Sequence, residues 1–314
     1  MRLVADVGGT HIRLGLVGDQ GKSPANISKV RSADFDSLET ALISYTTDNS
    51  AAGINEACIA VAGPVNEDRV KLTNLPWEFS QTALQRALGV NKLAVINDFA
   101  AVAMAIPYLN AGDCTQVGVG TAEHGLPIAA VGPGTGLGAA MLVAHGLQYN
   151  VIATEAGHAA IAAETDIEHA IVKHFAADGS HIKREFFLSG SGLKALHSAL
   201  SALQSAQAPE LSPAEIQQRA CAGSDALCEQ ALNIFCGWLG GACADLALSC
   251  GARGGVYIGG GMVKKFLNYF AASDFRQRFE NRAAMRGYLQ AIPTYVITRE
   301  HCALLGAGNA AING

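Results

Sequence analysis

The residues with the clearest chemical potential lie where an apolar run meets a helix-like run. Residues 93–96 are apolar and predict a buried strand, and an alanine-rich run of helical character follows from Phe99. Asn97 and Asp98 stand at this junction, which is where α/β proteins usually bind ligands. A carboxylate there can accept the proton of a hydroxyl group, but Asn and Asp are also preferred caps of helix N-termini. Taken alone, the stretch favours the cap, so its interpretation depends on the segments around it.

Two glycine turns that contain a threonine each separate a pair of strand-like runs. The first turn lies between the runs 2–7 and 12–17, and the second spans residues 132–138. The candidate phosphate-binding residues in the two turns are Gly8, Gly9, Thr10, Gly134, Thr135 and Gly136. Glycines let backbone amides approach an anion, and a threonine hydroxyl adds a donor, although ordinary hairpin turns remain the alternative. Asp6, just before the first turn, can hold Mg²⁺ through a water molecule.

A third glycine segment, formed by Gly259, Gly260 and Gly261, follows a strand-like run late in the chain. Its bare backbone could let a flat ring such as adenine lie against it. The run 139–143 after the second turn is strand-like, whereas a dinucleotide-binding fingerprint would open a helix. Because the order strand, glycine turn, strand occurs once in each half of the chain, we predict a duplicated unit.

Composition predicts a compact α/β protein with a large core and no nucleic-acid partner. The chain has 314 residues, half of them apolar and 16% charged, with a net charge of −5. A strand pattern follows Met1 at once, so no targeting leader is expected. The most membrane-like stretch, residues 231–252, contains Asn233 and Asp245 and predicts a buried helix rather than a membrane partner.

The eight cysteines form no CxxC pair and predict reduced thiols in a cytoplasmic protein. Five of them, between residues 221 and 250, recur every seven or eight residues and predict one buried helical stripe rather than a zinc site. The other predicted elements are helices over 37–45 and 80–88, a strand over 57–62, an irregular hinge over 107–125, mostly helices over 164–249, a strand over 294–297 and a last helix from about 303. Ser80 is the predicted cap of its helix, and Trp77 is predicted to pack in the core.

In its motifs and their order, the chain resembles the bacterial glucokinase family of the sugar kinase and actin-like ATPase superfamily. The segments that carry the resemblance lie at residues 6–10, 73–77, 96–99, 132–138, 155–158, 185–190, 259–261 and 304–307. They cover essentially the whole chain. The resemblance implies two ribonuclease-H-like α/β lobes, a small lobe of residues 1–108 plus 299–314 and a large lobe of residues 109–298, with the active site in the cleft between them.

The resemblance also implies a role for each matching residue. Asp98 matches the catalytic base, and the matches to sugar-binding residues are Asn97, Asp98, Glu155, His158 and Glu185. The two glycine turns match phosphate-binding turns, and residues 259–261 match the adenosine segment. Carboxylates and an amide suit a ring of sugar hydroxyls, since each hydroxyl both donates and accepts. The implied reaction uses ATP and Mg²⁺ to phosphorylate the 6-hydroxyl of glucose, and the implied assembly is a homodimer.

Two residues depart from the family pattern. Ala156 stands where the family has a glycine, and His11 stands where an asparagine is more common. The open alternatives are a kinase for another hexose (fructose, mannose or an amino sugar) and a sugar-sensing protein without catalysis. The local sequence of these candidates favours structural alternatives. Glu155 would then be a solvated carboxylate, His158 a structural histidine and Glu185 a surface charge.

Overall fold

The computed structural model describes residues 1–18, 23–49, 53–65, 67–73, 75–146, 148–176, 179–206 and 208–312. Position 74 of the 73–77 motif therefore lies outside the described residues. The chain divides into two compact units, Met1–Ala111 with Arg299–Gly314, and Gly112–Thr298.

The first unit is built on one five-stranded sheet with helices on both faces. Its strands are β1 (Arg2–Val7), β2 (His11–Val17), β3 (Ala25–Arg31), β4 (Glu56–Val61) and β7 (Lys92–Asn97), and a separate hairpin consists of β5 (Arg69–Lys71) and β6 (Glu78–Ser80). The sheet order is β3-β2-β1-β4-β7, in which β3, β2 and β1 are antiparallel neighbours and β1, β4 and β7 are parallel. The helices of this unit are α1 (Leu38–Asp48), α2 (Gln81–Leu88), α3 (Asp98–Ala105) and α12 (Cys302–Asn309).

Side chains of β1 alternate between two apolar clusters, one on each face of this sheet. Leu3 and Ala5 are buried in one cluster together with Leu42 of α1 and Leu84 of α2. Val4 is buried in the other cluster, which includes Leu304 of α12. Burial on both faces is what a sheet with a parallel centre requires, so strands of this kind are apolar throughout.

The second unit repeats this plan. Its strands are β8 (Cys114–Val117), β9 (Ile128–Pro133), β10 (Leu137–His145), β11 (Gln148–Thr154), β12 (Val256–Ile258) and β13 (Thr294–Ile297). They form one sheet of order β11-β10-β9-β12-β13-β8. Leaving out β8, both sheets show the strand order 3-2-1-4-5 in chain sequence, with three antiparallel strands followed by two parallel ones. This order confirms the predicted duplication and the ribonuclease-H-like α/β fold.

A long buried helix, α8 (Ala226–Cys250), forms the centre of the second unit. The other helices of the unit are α4 (Asp166–Phe175), α5 (Arg184–Phe187), α6 (Gly190–Leu203), α7 (Pro213–Cys221), α9 (Leu267–Ala272), α10 (Phe275–Glu280) and α11 (Arg286–Ala291). In the described part of the chain, α8 is the one helix with the length and apolarity of a membrane span. Because 72% of its most apolar window is buried inside the protein, it is a core helix, as predicted.

Several local predictions are corrected by the structure. The predicted irregular segment 107–125 contains strand β8, which pairs with β13 at the sheet edge. The predicted turn 132–138 is shorter, because Pro133 pairs with Leu137 and Gly132 with Gly138, which leaves residues 134–136 as the turn. The cysteine stripe holds for Cys228, Cys236 and Cys243, which are buried in α8. Cys221 is exposed, since α7 ends there and α8 begins at Ala226 with its own Asp225 cap.

Candidate active site

In the first unit, the carboxyl ends of three parallel strands bring the predicted residues to one edge of the sheet. Val7 of β1 is paired with Val61 of β4, which is paired with Asn97 of β7. Turn 8–10 follows β1 and Asp98 follows β7, which is two strand positions away in the sheet. At the usual strand spacing, the ends of these two strands lie about 10 Å apart. Ligands bind beyond such strand ends in open α/β sheets.

Asn97 is the N-cap of α3, and Asp98 is its first residue. The Oδ1 of Asn97 accepts hydrogen bonds from the backbone N–H groups of Phe99 (2.9 Å) and Ala100 (3.1 Å), while Nδ2 donates to the carbonyl of Gly63 (3.2 Å). The Phe99 N–H also donates to Oδ1 of Asp98 at 2.9 Å. The cap interpretation is thus confirmed for Asn97. An amide carries two hydrogens, and within the described residues the Nδ2 group of Asn97 uses one of them, in its bond to Gly63.

The glycine turn after β1 is fixed by Ser32, a buried residue that the sequence analysis did not select. Its backbone N–H donates to the carbonyl of Thr10 and its hydroxyl donates to the carbonyl of Gly8, both at 3.0 Å. The Gly8 N–H donates to the carbonyl of His11, also at 3.0 Å. Thr10 is exposed at the tip of the turn, so its hydroxyl can reach a ligand.

Asp6 and His11 flank this turn and differ in their electrostatic surroundings. Burial raises the pKa of the Asp6 carboxyl, and its ion pair with Arg13 (Nη1 to Oδ2, 3.0 Å) opposes that rise. Partial desolvation, with the nearby cations of Lys29 and Arg13, lowers the pKa of His11, which keeps its ring neutral at pH 7. The substitution of histidine at this position therefore adds no charge beside the turn.

In the second unit, the tip of the β9–β10 hairpin is held by two separate segments. The Gly190 N–H, at the start of α6, donates to the carbonyl of Gly134 at 2.9 Å. The Leu137 N–H donates to Oε2 of Glu185 at 2.9 Å. Thr135 is exposed between the two anchored residues. The predicted phosphate turn is therefore a braced hairpin whose exposed tip carries the threonine.

Glu185 is partly buried, and both of its carboxylate oxygens are engaged. Besides Leu137, it accepts a hydrogen bond from Nζ of Lys183, which lies 2.8 Å from Oε1. Burial opposes ionisation of Glu185, but the bonds from Lys183 and Leu137 together outweigh it and lower the pKa of this carboxyl. Glu185 is thus an ionised residue with defined contacts within the unit, which its sequence surroundings did not show.

Behind Glu185, an ion-pair network fixes the first residue of α5. Arg184 donates to Oδ2 of Asp245 on α8 at 2.7 Å, and Arg282 donates to Oδ1 of the same carboxylate at 3.2 Å. Arg282 also pairs with Glu164 at 3.0 Å. The Arg184 side chain is only 14% exposed. Its buried ion pair therefore anchors the backbone of α5 next to Glu185.

Glu155 and His158 lie at the two ends of a single 3-10 turn, Ala156–His158, and both are largely exposed. The Nε2 of His158 is 3.9 Å from Oε2 of Glu155. A Cβ built on Gly157 would collide with the carbonyl oxygen of Leu137, so a glycine is required there. The extra methyl of Ala156 packs against the core of the unit.

The segment Gly259 to Gly261 lies against the end of β9. The Gly259 N–H donates to the carbonyl of Val131 at 2.8 Å. Gly260 has φ = +82°, and a Cβ there would be 2.8 Å from the carbonyl oxygen of Pro133. Since a residue with a side chain is strained in both respects, only glycine fits at this position. This segment is followed by a 3-10 turn, Val263–Phe266, and then by the short helix α9.

Each unit therefore gathers its own set of predicted residues. Those of the first unit are Asp6, Gly8, Gly9, Thr10, Asn97 and Asp98, and those of the second are Gly134, Thr135, Gly136, Glu155, His158, Glu185, Gly259, Gly260 and Gly261. Three supporting residues, Ser32, Lys183 and Gly157, are not among the predicted site residues. Gly157 lies inside the recognised segment 155–158, between two predicted sugar-binding residues, and this position could have pointed to it, whereas Ser32 carries no such local signal.

Paired glycine hairpins on two ribonuclease-H-like units, together with a carboxylate at a strand end, define the class of sugar kinases and actin-like ATPases. A family model described as Glucokinase matches residues 3–313. A glucokinase of Chromobacterium violaceum is 43% identical over 305 residues, which are 97% of this chain and 87% of the relative. The crystal structure of a glucokinase from an Antarctic psychrotroph is 37% identical with a TM-score of 0.88, and the match covers 98% of this chain and 97% of that one.

The likeness to a more distant structure supports only the fold of this chain. That structure is a glucokinase of the ROK family from Streptomyces griseus in complex with glucose and AMPPNP, 19% identical with a TM-score of 0.63 and 98% coverage of both chains. The match over nearly the whole chain confirms the resemblance inferred from the motifs. The chain belongs to the glucokinase family.

Proposed function

We propose that this chain transfers the γ-phosphoryl group of ATP to the 6-hydroxyl of D-glucose, giving glucose 6-phosphate and ADP. The observation that carries the proposal is the glucokinase family match over residues 3–313. It is supported by the placement of Asp98 and a glycine turn beyond the same edge of one sheet.

Asp98 is the proposed catalytic base. Its carboxylate accepts the proton of the 6-hydroxyl while that oxygen forms a bond to the γ-phosphorus. The bond from this phosphorus to the bridging oxygen of ADP breaks, and ADP leaves. Asp98 is the first residue of α3, at the helix end toward which the amide dipoles point their positive end.

We propose that Asn97, Asp98, Glu155, His158 and Glu185 bind the sugar hydroxyls. Asn97 acts as a donor, since its oxygen is already used in capping α3 while one amide hydrogen is available. Glu185 acts as an acceptor, because an ionised carboxylate has about four lone-pair sites and its two bonds to Lys183 and Leu137 leave capacity for a hydroxyl. A hexose that lacks the matching hydroxyl leaves these groups unpaired and is rejected.

For MgATP, we propose that turns 8–10 and 134–136 hold the phosphates and that residues 259–261 hold the adenosine. Phosphoryl transfer depends mainly on positioning and on charge stabilisation, which main-chain amides and the ion supply. Asp6 fits a water-mediated contact to Mg²⁺, since Arg13 occupies Oδ2 and the ion prefers to keep several of its waters. When bound, Mg²⁺ would offset the negative charge of the phosphates.

We further propose that the protein is cytoplasmic and forms a homodimer. Each protomer would have a small lobe of residues 1–108 plus 299–314 and a large lobe of residues 109–298. The apolar composition, the buried α8 and the free cysteines are compatible with this location. Sedimentation equilibrium of the purified chain would decide the oligomeric state, and a single species at the mass of one chain would contradict the dimer.

A coupled ADP-release assay with a panel of hexoses tests the function. We expect glucose to give the highest kcat/KM, with Asp98→Ala abolishing turnover while glucose still changes the tryptophan fluorescence. A higher kcat/KM for fructose, mannose or an amino sugar would reassign the substrate. Full activity of Asp98→Ala would remove the proposed base, and sugar binding without any turnover in the unaltered protein would indicate a sensor.

A further inference from the structure

Lys183 is a charged residue that neither the resemblance nor the proposed reaction uses, yet its backbone and side chain are both fixed. Its backbone forms a bridge with Ala160, and the next N–H, that of Arg184, donates to the carbonyl of Ala159 at 2.8 Å. Its Nζ donates to Oε1 of Glu185 at 2.8 Å, although 36% of the Lys183 side chain is exposed. A lysine held at both ends in this way has a defined orientation.

The carboxylate that Lys183 contacts is wedged against the tip of the β9–β10 hairpin. The second oxygen of Glu185 accepts the Leu137 N–H at 2.9 Å. A Cβ on Gly136 would collide with this same oxygen, so the close approach depends on a glycine. Because the two oxygens of Glu185 have different partners, the ammonium of Lys183 fixes the rotation of the carboxylate plane.

Leu137 links this carboxylate to the other sugar segment. Its N–H is bound by Glu185, and its carbonyl oxygen is in close contact with Gly157, in the turn between Glu155 and His158. One hairpin residue thus contacts both segments that we propose to bind glucose in this unit. A change in the orientation of Glu185 would therefore weaken its bond to the Leu137 N–H and loosen the hairpin tip, where Thr135 is exposed.

We propose that Lys183 is a positioning residue, which fixes Glu185 against the Leu137 amide so that the sugar-binding carboxylate and the hairpin tip act as one rigid group. The kinetic part of this proposal rests on the sugar-binding role proposed for Glu185. The structural part, that Lys183 protects the Leu137 amide through Glu185, does not depend on any activity.

The kinetic test compares Lys183→Met and Lys183→Arg with Lys173→Met, a matched change at an exposed lysine on α4. Removal of a charge-assisted hydrogen bond is expected to raise the KM for glucose about tenfold in Lys183→Met, with kcat changed less than about threefold. Lys183→Arg should restore most of the lost affinity, and Lys173→Met should behave as the unaltered enzyme. Equal KM values in Lys183→Met and Lys173→Met would overturn the proposal.

The structural test is hydrogen–deuterium exchange of a peptide that covers the tip of the β9–β10 hairpin. We expect the Leu137 amide to exchange about tenfold faster in Lys183→Met, since a mobile carboxylate protects it less. Unchanged exchange there would overturn the positioning role even if the KM rises. If the unaltered protein phosphorylates no hexose, the proposed function fails, and the exchange result alone decides whether Lys183 positions Glu185.

Discussion

The substitution Gly306→Ala tests whether helix packing sets the position of the proposed base. Gly306 lies in α12, which packs against α3, the helix that begins with Asp98. A Cβ at this position would overlap the carbonyl oxygen of Ala101, and it would be 2.7 Å from the carbonyl carbon of Ala101 and 3.0 Å from the backbone nitrogen of Ala105. Ordinary contact begins at 3.4 Å, and backbone atoms cannot rotate away as a side chain can.

The two helices must therefore separate by on the order of 1 Å. Overpacking of this kind costs typically 1–3 kcal/mol, and we expect the upper end of that range because the obstacle is backbone. A loss of about 3 kcal/mol lowers the Tm by roughly 10 °C in a domain of this size. Displacement of a reacting group by about 1 Å can reduce the rate by about 10²-fold, so kcat should fall by between tenfold and a hundredfold.

The assay is turnover at a temperature below the melting transition of the variant, which a thermal melt of the same sample determines. Gly287→Ala is the matched control, because Gly287 lies in α11 and a Cβ there has open space. That change should raise stability by up to about 1 kcal/mol, as alanine does in helices, and leave kcat unaltered. A Gly306→Ala protein with an unaltered Tm and kcat would refute the idea that this close contact positions Asp98.

Three further changes address the turns and Glu185. Ser32→Ala removes the hydroxyl hydrogen bond to Gly8, which is worth about 1 kcal/mol, and should raise the KM for ATP roughly fivefold in the coupled assay. An unchanged KM would mean that the backbone bond of Ser32 to Thr10 is enough to hold the turn. Gly260→Ala strains a left-handed residue beside Pro133 and should raise the KM for ATP more than that for glucose, whereas the opposite order would place the adenosine segment elsewhere. Glu185→Gln should cost stability at neutral pH and none in strong acid. The pKa of Glu185 is lowered in the folded protein. Its stabilising effect is therefore complete above its usual pKa of 4.5 and is lost as the pH falls through the lower folded value. Urea melts that show the same loss of unfolding free energy in the variant at pH 7 and at pH 3 would contradict this.

The sequence was most informative where a pattern is local. Apolar runs of strand length predicted β4, β7 and β13 within a few residues, and Ser80 accepts the Ala83 N–H as a predicted cap does. Repetition of a strand, glycine turn and strand was sufficient to predict two similar units. These features depend on neighbouring residues alone, so a single sequence contains them.

Contacts between distant residues could not be predicted in the same way. Glu185 and Leu137 are 48 positions apart, and the bond between them follows from how α5 packs beside β10. Strand β8 was missed because it is a four-residue edge strand without apolar alternation, and its pairing partner β13 follows much later in the chain. Gly306 stood in a recognised motif, but the reason for a glycine there became visible only in the packing of α12 on α3.

In the structure, helix capping and ligand binding are compatible roles for the Asn97–Asp98 pair. Asn97 caps α3 through its oxygen, while its amide group donates one hydrogen to Gly63 and has a second hydrogen that no bond among the described residues uses. Capping fixes the side chain in one rotamer, which reduces the entropy that a ligand contact would cost. The structural role of Asn97 is therefore compatible with the binding role proposed for it, and Asp98, the next residue, stands at the end of β7, where we propose that the sugar hydroxyl binds.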